Sequence, residues 1–149
     1  MKAFENTVTI RMPAEEVFAF LTDFKNAPLW NYAIDETRKT SPGPVGVGTT
    51  YRQVRSVPSR SVEGFVVTTF NPPRRVEIQG AIGPFQARIR YALDAMGEAT
   101  KLTNAVELTP SSIASTLLGP LAVQRVKAAV ASNLEVLKQV LEARSRGIS

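Results

Sequence analysis

The 149-residue chain contains neither cysteine nor histidine. Without cysteine there can be no disulfide, no thiolate nucleophile and no cysteine-ligated metal. Without histidine, the commonest general base and the commonest zinc ligand are both missing. No metal and no cofactor is therefore expected, and any catalysis must use Asp, Glu, Arg, Lys, Tyr or bound water. Aromatics make up only 7% of the residues, with Trp30 the single tryptophan. Long apolar runs are scarce too. The most apolar window, Ile113 to Val123, is too short to span a bilayer and is broken by Gly119-Pro120. Met1 to Glu5 carries no apolar stretch like that of a secretory signal, so a cytoplasmic protein without a membrane span is expected.

What is present is an excess of base, with 18 Lys+Arg against 13 Asp+Glu and a net charge of +5. The cations are dispersed, and their longest runs are the pairs Arg38-Lys39 and Arg74-Arg75. Dispersed charge describes a solvated surface rather than a nucleic-acid footprint, so no nucleic-acid partner is expected. An apolar content of 44% in 149 residues suits one globular domain, residues 1–149, able to bury roughly two thirds of its unfolded surface. A monomer and a homodimer are both compatible with this composition.

The longest periodic stretch runs from about Leu117 to Arg144. Leu118, Leu121, Val126, Val130, Leu134, Leu137 and Leu141 recur at steps of three to five residues, while Gln124, Ser132, Glu135, Gln139 and Glu142 take the other side. That is an amphipathic helix with one face in a core. Before it, the chain reads mostly as strands. Phe4, Val8 and Ile10 alternate with polar residues in a first strand. Pro13 then opens a short helix with Glu15 and Glu16 in its first turn and an apolar face of Val17, Phe20, Leu21 and Phe24. A second short helical piece, Asn26 to Tyr32, contains Pro28 and Trp30, and a weak strand follows from about Ala33 to Thr40. Gly43, Gly46 and Gly48 lack the following helix and lysine of a phosphate loop, and read as a turn-rich connection.

From Thr49 the strands come as hairpins, and charge pairing suggests registers. Glu77 opposite Arg88 places Val76 against Ile89 and Ile78 against Ala87. Asp94 opposite Lys101 places Leu93 beside Leu102, Ile89 beside Val106 and Arg88 beside Glu107, so Arg88 lies between Glu77 and Glu107 on the outer face. This register sets Tyr91 against Asn104 on the inward side, either as a hydrogen-bonded core pair or as a pair that orients a ligand. A third hairpin turns at Pro58-Ser59-Arg60. Gln53 opposite Phe65 puts Arg55 opposite Glu63 and Tyr51 opposite Val67. Because burying an Arg–Glu pair is costly, this pair is expected at a wet rim. The order is strand, two short helices, six strands, long helix, an α+β arrangement with helices on one face of an antiparallel sheet.

The stretch Ile10-Arg11-Met12-Pro13-Ala14-Glu15-Glu16-Val17-Phe18-Ala19-Phe20-Leu21-Thr22-Asp23-Phe24, followed by Pro28 and Trp30, resembles the opening of polyketide cyclase/dehydrase-like proteins of the START-like, helix-grip superfamily, also called SRPBCC. Val67 to Val76, Gly83-Pro84-Phe85 and Thr100 to Thr103 resemble its middle strands. The resemblance runs nearly end to end. It implies a helix-grip fold, a seven-stranded curved antiparallel sheet around the C-terminal helix with an apolar cavity between them. It also implies a hydrophobic small-molecule partner: a lipid, polyketide, sterol or aromatic compound.

On that expectation Phe65, Val67, Val76, Ile78, Phe85, Ile89, Tyr91 and Leu102 line the cavity from the sheet. Val126, Val130, Leu134 and Leu137 close it from the helix, Phe24 and Trp30 guard a mouth, and Tyr51, Gln53, Tyr91 and Asn104 supply hydrogen bonds. The alternative to an open cavity is a filled core. A second reading is a cyclase or dehydratase in which Glu63 acts as base and Arg55 or Tyr91 stabilises an enolate oxygen. The close Arg55 and the missing histidine weigh against it. A third reading is a protein-interaction module, which an exposed apolar patch near Ile113 to Leu118 would support.

Overall fold

Two-residue alternation and helical periodicity in one chain call for a sheet and a helix that cover each other's apolar faces. The computed structural model of the protein describes residues 2–110 and 119–147. The chain runs β1 (Lys2–Ile10), α1 (Ala14–Thr22), a 3-10 helix (Phe24–Leu29), β2 (Ile34–Lys39), β3 (Thr50–Arg55), β4 (Ser61–Asn71), β5 (Arg75–Ile82), β6 (Phe85–Met96), β7 (Ala99–Pro110) and α2 (Gly119–Ser145). The seven strands form one antiparallel sheet in the order β1-β7-β6-β5-β4-β3-β2. This is the helix-grip arrangement.

In β1 the inward positions Phe4, Val8 and Ile10 are buried, and Asn6, which shares their face, donates from Nδ2 to the Lys127 carbonyl of α2 at 3.3 Å. Two further bonds hold the far half of α2 against the end of β1. Lys138 Nζ donates to the Thr9 carbonyl at 2.7 Å, and the Arg11 N–H donates to Glu142 Oε2 at 2.9 Å. Pro13 precedes α1, whose first turn holds Glu15 and Glu16. Phe18, absent from the expected apolar face, is also buried and meets Phe70 at 5.5 Å between ring centroids.

The β6–β7 register is the expected one, with Asp94 opposite Lys101, Arg88 opposite Glu107 and Tyr91 opposite Asn104. The other two hairpins are each shifted by two residues. Glu77 pairs Arg90 rather than Arg88, Val76 pairs Tyr91, and Ile78 pairs Ile89. The cause is the tightness of the turn: the strands continue to Ile82 and Phe85, leaving only Gly83-Pro84 between them, with Gly83 at φ 52°. In the third hairpin Tyr51 pairs Phe65, Gln53 pairs Glu63 and Arg55 pairs Ser61. A two-residue shift keeps every side chain on its own face. Arg88 therefore still reaches both Glu77 (3.5 Å) and Glu107 (3.8 Å), as expected.

On α2 the buried stripe is Val123, Leu134, Leu137 and Leu141, with Val126 and Val130 half-buried among them. Leu121, expected on this stripe, is 64% exposed. Five residues at about 100° each put it about 140° around the helix from Val126. Leu118 lies outside the described residues. Leu134, Leu137 and Leu141 join Val17, Leu21, Val67, Val76 and Leu102 in the main core. Because Leu137 has no exposed surface, Leu137→Ala is expected to cost about 3 kcal/mol. Urea unfolding checks this as a lowered midpoint at unchanged slope.

Candidate functional site

The two halves of α2 carry side chains of different length. Toward its end Leu134, Leu137 and Leu141 fill the space beneath the sheet. Nearer its start Ala122, Val126, Ala129 and Val130 do not reach across. The result is a cavity of about 500 Å³. Ile78, Ile89, Phe85 and Val106 wall it from the sheet, and Phe24, Trp30 and Ile34 from the segment after α1. Phe24 is held edge-on to Tyr51 (4.9 Å) and to Phe65 (5.3 Å), and Tyr51 and Phe65 stack at 4.9 Å. Tyr32, Val57, Pro58, Gly83, Pro84 and Arg125 also line it.

Few polar groups interrupt these walls. At the β3–β4 side, Glu63 is buried and receives four donor groups. Arg55 Nε reaches both carboxylate oxygens (3.1 and 2.9 Å), and Gln53 Nε2, Ser61 Oγ and the Gly83 N–H each donate at 2.9 Å. Burial alone would raise the Glu63 pKa. The bonds from Arg55, Gly83 and Gln53, together with the Arg55 charge, outweigh that and hold it below the ordinary 4.5. The Arg55–Glu63 pair was expected at a wet rim, but its side chains are only 11% and 3% exposed. Four donor groups satisfy the carboxylate and offset the desolvation that made burial look prohibitive. Arg55 and Gln53 line the cavity, whereas Glu63 lies behind them, outside its lining. Only Arg55 Nε is engaged, so the two Nη groups have no hydrogen-bond partner among the described residues.

A second polar point joins α2 to the segment after the 3-10 helix. Buried Asn133 donates to Asn31 Oδ1 at 3.1 Å and accepts the Tyr32 N–H at 3.4 Å. A third lies on β6 and β7. Tyr91 and Asn104 face each other as expected, but the hydroxyl does not bond the amide. Asn104 Nδ2 donates instead to the Arg90 carbonyl at 3.3 Å. Tyr91 is half-buried and lines the cavity, and burial pushes its hydroxyl well above its ordinary pKa.

Of the residues expected at the site, the cavity wall contains Phe24, Trp30, Gln53, Phe65, Ile78, Phe85, Ile89, Tyr91, Asn104, Val126 and Val130, together with Arg55. Tyr51, Val67, Val76, Leu102, Leu134 and Leu137 are buried in the main core and do not line it. Tyr51 stacks behind Phe65, and the leucines sit where the helix closes on the sheet. The patch near Ile113 to Leu118 lies outside the described residues. Sequence reasoning missed Thr37, Ala122, Arg125, Ala129 and Asn133. The alanines contribute by being small, which leaves no apolar signal. Asn133 sits beside Leu134 in the helical stripe, and that position was the clue. Among the described residues no cluster of three or more Asp or Glu is placed to hold a metal ion, and no helix is long and apolar enough to cross a membrane.

The fold recurs in solved structures. The chain superposes on the Zhui aromatase/cyclase from Streptomyces sp. R1128 with a TM-score of 0.79, at 13% identity, over 97% of this chain and 95% of the other. A protein from Thermus thermophilus, TTHA0849, gives 0.77 at 18% identity, over 97% and 99%. A START superfamily protein from Mycobacterium smegmatis gives 0.70 at 18% identity, over 99% of each chain. No match was found among curated proteins. The profile described as polyketide cyclase / dehydrase and lipid transport matches residues 1–142, and the chain belongs to that family.

Proposed function

We propose that the protein binds or carries a hydrophobic small molecule, a lipid, polyketide or aromatic compound, in the cavity between the sheet and α2. The observation that carries this reading is a space of about 500 Å³ with mainly apolar walls and a few fixed polar groups. That is the size and make-up of a small-molecule pocket. A ligand that buries about 300 Å² of apolar surface there gains about 7 kcal/mol before the losses of immobilisation. Filling the cavity tests it. Ala129→Phe is expected to weaken binding of 2-naphthol at least about tenfold in a calorimetric titration. Unchanged affinity in that variant would sink the reading.

A cyclase or dehydratase is the second reading, and the Nη groups of Arg55 at the cavity wall, without a partner among the described residues, favour it, since they could stabilise a developing oxyanion. A base poised near neutrality is the missing part. Glu63 is held as an anion below its ordinary pKa and lies behind the wall. Glu63→Gln distinguishes the two: abolished turnover with binding retained supports the enzyme, and retained binding with no turnover in either form supports the carrier.

A further inference from the structure

Asn104 is 1% exposed and sits on the inward face of β7, between Leu102 and Val106, which are both buried and apolar. A leucine would suit such a row. The amide orientation is fixed, because the Arg90 carbonyl can only accept and so must face the Nδ2 group. Oδ1 is left buried without a partner among the described residues. Buried acceptors in native proteins are nearly always satisfied. Among the described residues one other buried side-chain atom lacks a partner, Thr37 Oγ1, and Thr37 and Asn104 both line the cavity. Tyr91, paired with Asn104 across β6 and β7, lines the same cavity, and its hydroxyl makes no hydrogen bond to any described residue.

We propose that the ligand places a hydroxyl group at Asn104 and Tyr91, giving its proton to Asn104 Oδ1 and accepting one from the Tyr91 hydroxyl. The inference rests on the reading of the cavity as a ligand site. Chemistry selects the group. Asn104 Oδ1 can only accept, so a ketone, ether or carboxylate leaves it unpaired, and a hydrocarbon satisfies neither side chain. An ammonium could donate, but the described cavity lining holds two arginines, Arg55 and Arg125, and no carboxylate. Tyr91 stays protonated as a donor because burial disfavours its anion. An alcohol or phenol both donates and accepts within one atom.

The test compares 2-naphthol, 2-methoxynaphthalene and naphthalene by calorimetric titration against the unaltered protein, Asn104→Leu and Tyr91→Phe. The unaltered protein is expected to bind 2-naphthol at least about tenfold tighter than the other two, because both of those leave the buried acceptor unpaired. In Asn104→Leu the gap is expected to shrink below about threefold, whereas in Tyr91→Phe, which keeps the acceptor, it narrows and persists. Naphthalene binding retained by a variant shows that its cavity is intact. Equal affinities in the unaltered protein, or a preference for 2-naphthol that survives Asn104→Leu, overturn the hydroxyl inference and leave the apolar cavity standing. Binding of none of the three probes overturns the cavity reading and the inference together.

Discussion

Glu63→Gln is expected to destabilise the protein by about 4 kcal/mol. An ion pair contributes little net stability when both partners are buried, because desolvation offsets attraction. Removing one partner is different, since it strands the other. Arg55 would keep its charge at 11% side-chain exposure, and the Gly83 N–H and Gln53 Nε2 would face an amide able to satisfy only some of them. Arg55→Met combined with Glu63→Gln is expected to be milder than Glu63→Gln alone, because no buried cation remains.

The pH dependence follows from the same group. The folded pKa of Glu63 lies below its ordinary 4.5. Its stabilisation is therefore fully present above that value and is lost as pH falls through the lowered folded pKa. Glu142 is shifted the same way: burial would raise it, but Lys138 and the Arg11 N–H lower it. Its side chain is 13% exposed against 3% for Glu63, so it adds to the same dependence. Urea unfolding between pH 3 and pH 7 should show stability rising with pH in the unaltered protein, and Glu63→Gln should flatten most of that rise. Equal stability of the two proteins at pH 7 would contradict this role for Glu63.

Gly80→Ala is the second change with a large expected effect, a loss of about 3 kcal/mol through overpacking. A Cβ at Gly80 would collide with the Gly64 carbonyl oxygen and would lie 2.6 Å from Phe65 Cβ and 2.8 Å from Phe65 Cα. These are backbone or backbone-fixed atoms of the neighbouring strand, and no rotamer change clears them. Relief requires β4 and β5 to part beside the Phe65 ring that walls the cavity, so ligand affinity should fall along with stability. Gly64→Ala is the matched control. Its Cβ would meet only the Tyr51 carbonyl oxygen, at an ordinary 3.7 Å, and its expected effect is within about 0.5 kcal/mol.

The residues explain which parts of this arrangement could be read in advance. Asp94–Lys101 and Arg88–Glu107 lie directly opposite each other, so charge chemistry specified the β6–β7 register correctly. Glu77 defeated the same logic at β5–β6. Arg88 reaches it diagonally at 3.5 Å while Arg90 pairs it directly at 3.2 Å, so both registers satisfy the charges and only the two-residue turn decides between them. Which face each strand buries survived the shift, because the side-chain period is two. The core leucines of α2 were visible as a stripe, but helical periodicity does not say where along the axis the sheet draws away. For that reason the sequence groups Leu134 with Val130 at the cavity and gives no sign of Ala129. The buried Arg55–Glu63 pair was misplaced for another reason. One of its satisfying donors, the Gly83 N–H, lies in a turn that no residue pattern connects to Glu63.

The most direct test of a ligand site between sheet and helix is a titration of isotopically labelled protein with 2-naphthol, followed by backbone and side-chain amide NMR. Shifts that saturate together and cluster at Ile78, Ile89, Tyr91, Asn104, Val126 and Val130, with the outer-face residues Arg88 and Glu107 unmoved, are the expected result. Shifts confined to the surface cleft formed by Phe18, Thr22, Phe70 and Pro72, or scattered over the outer face, would contradict it.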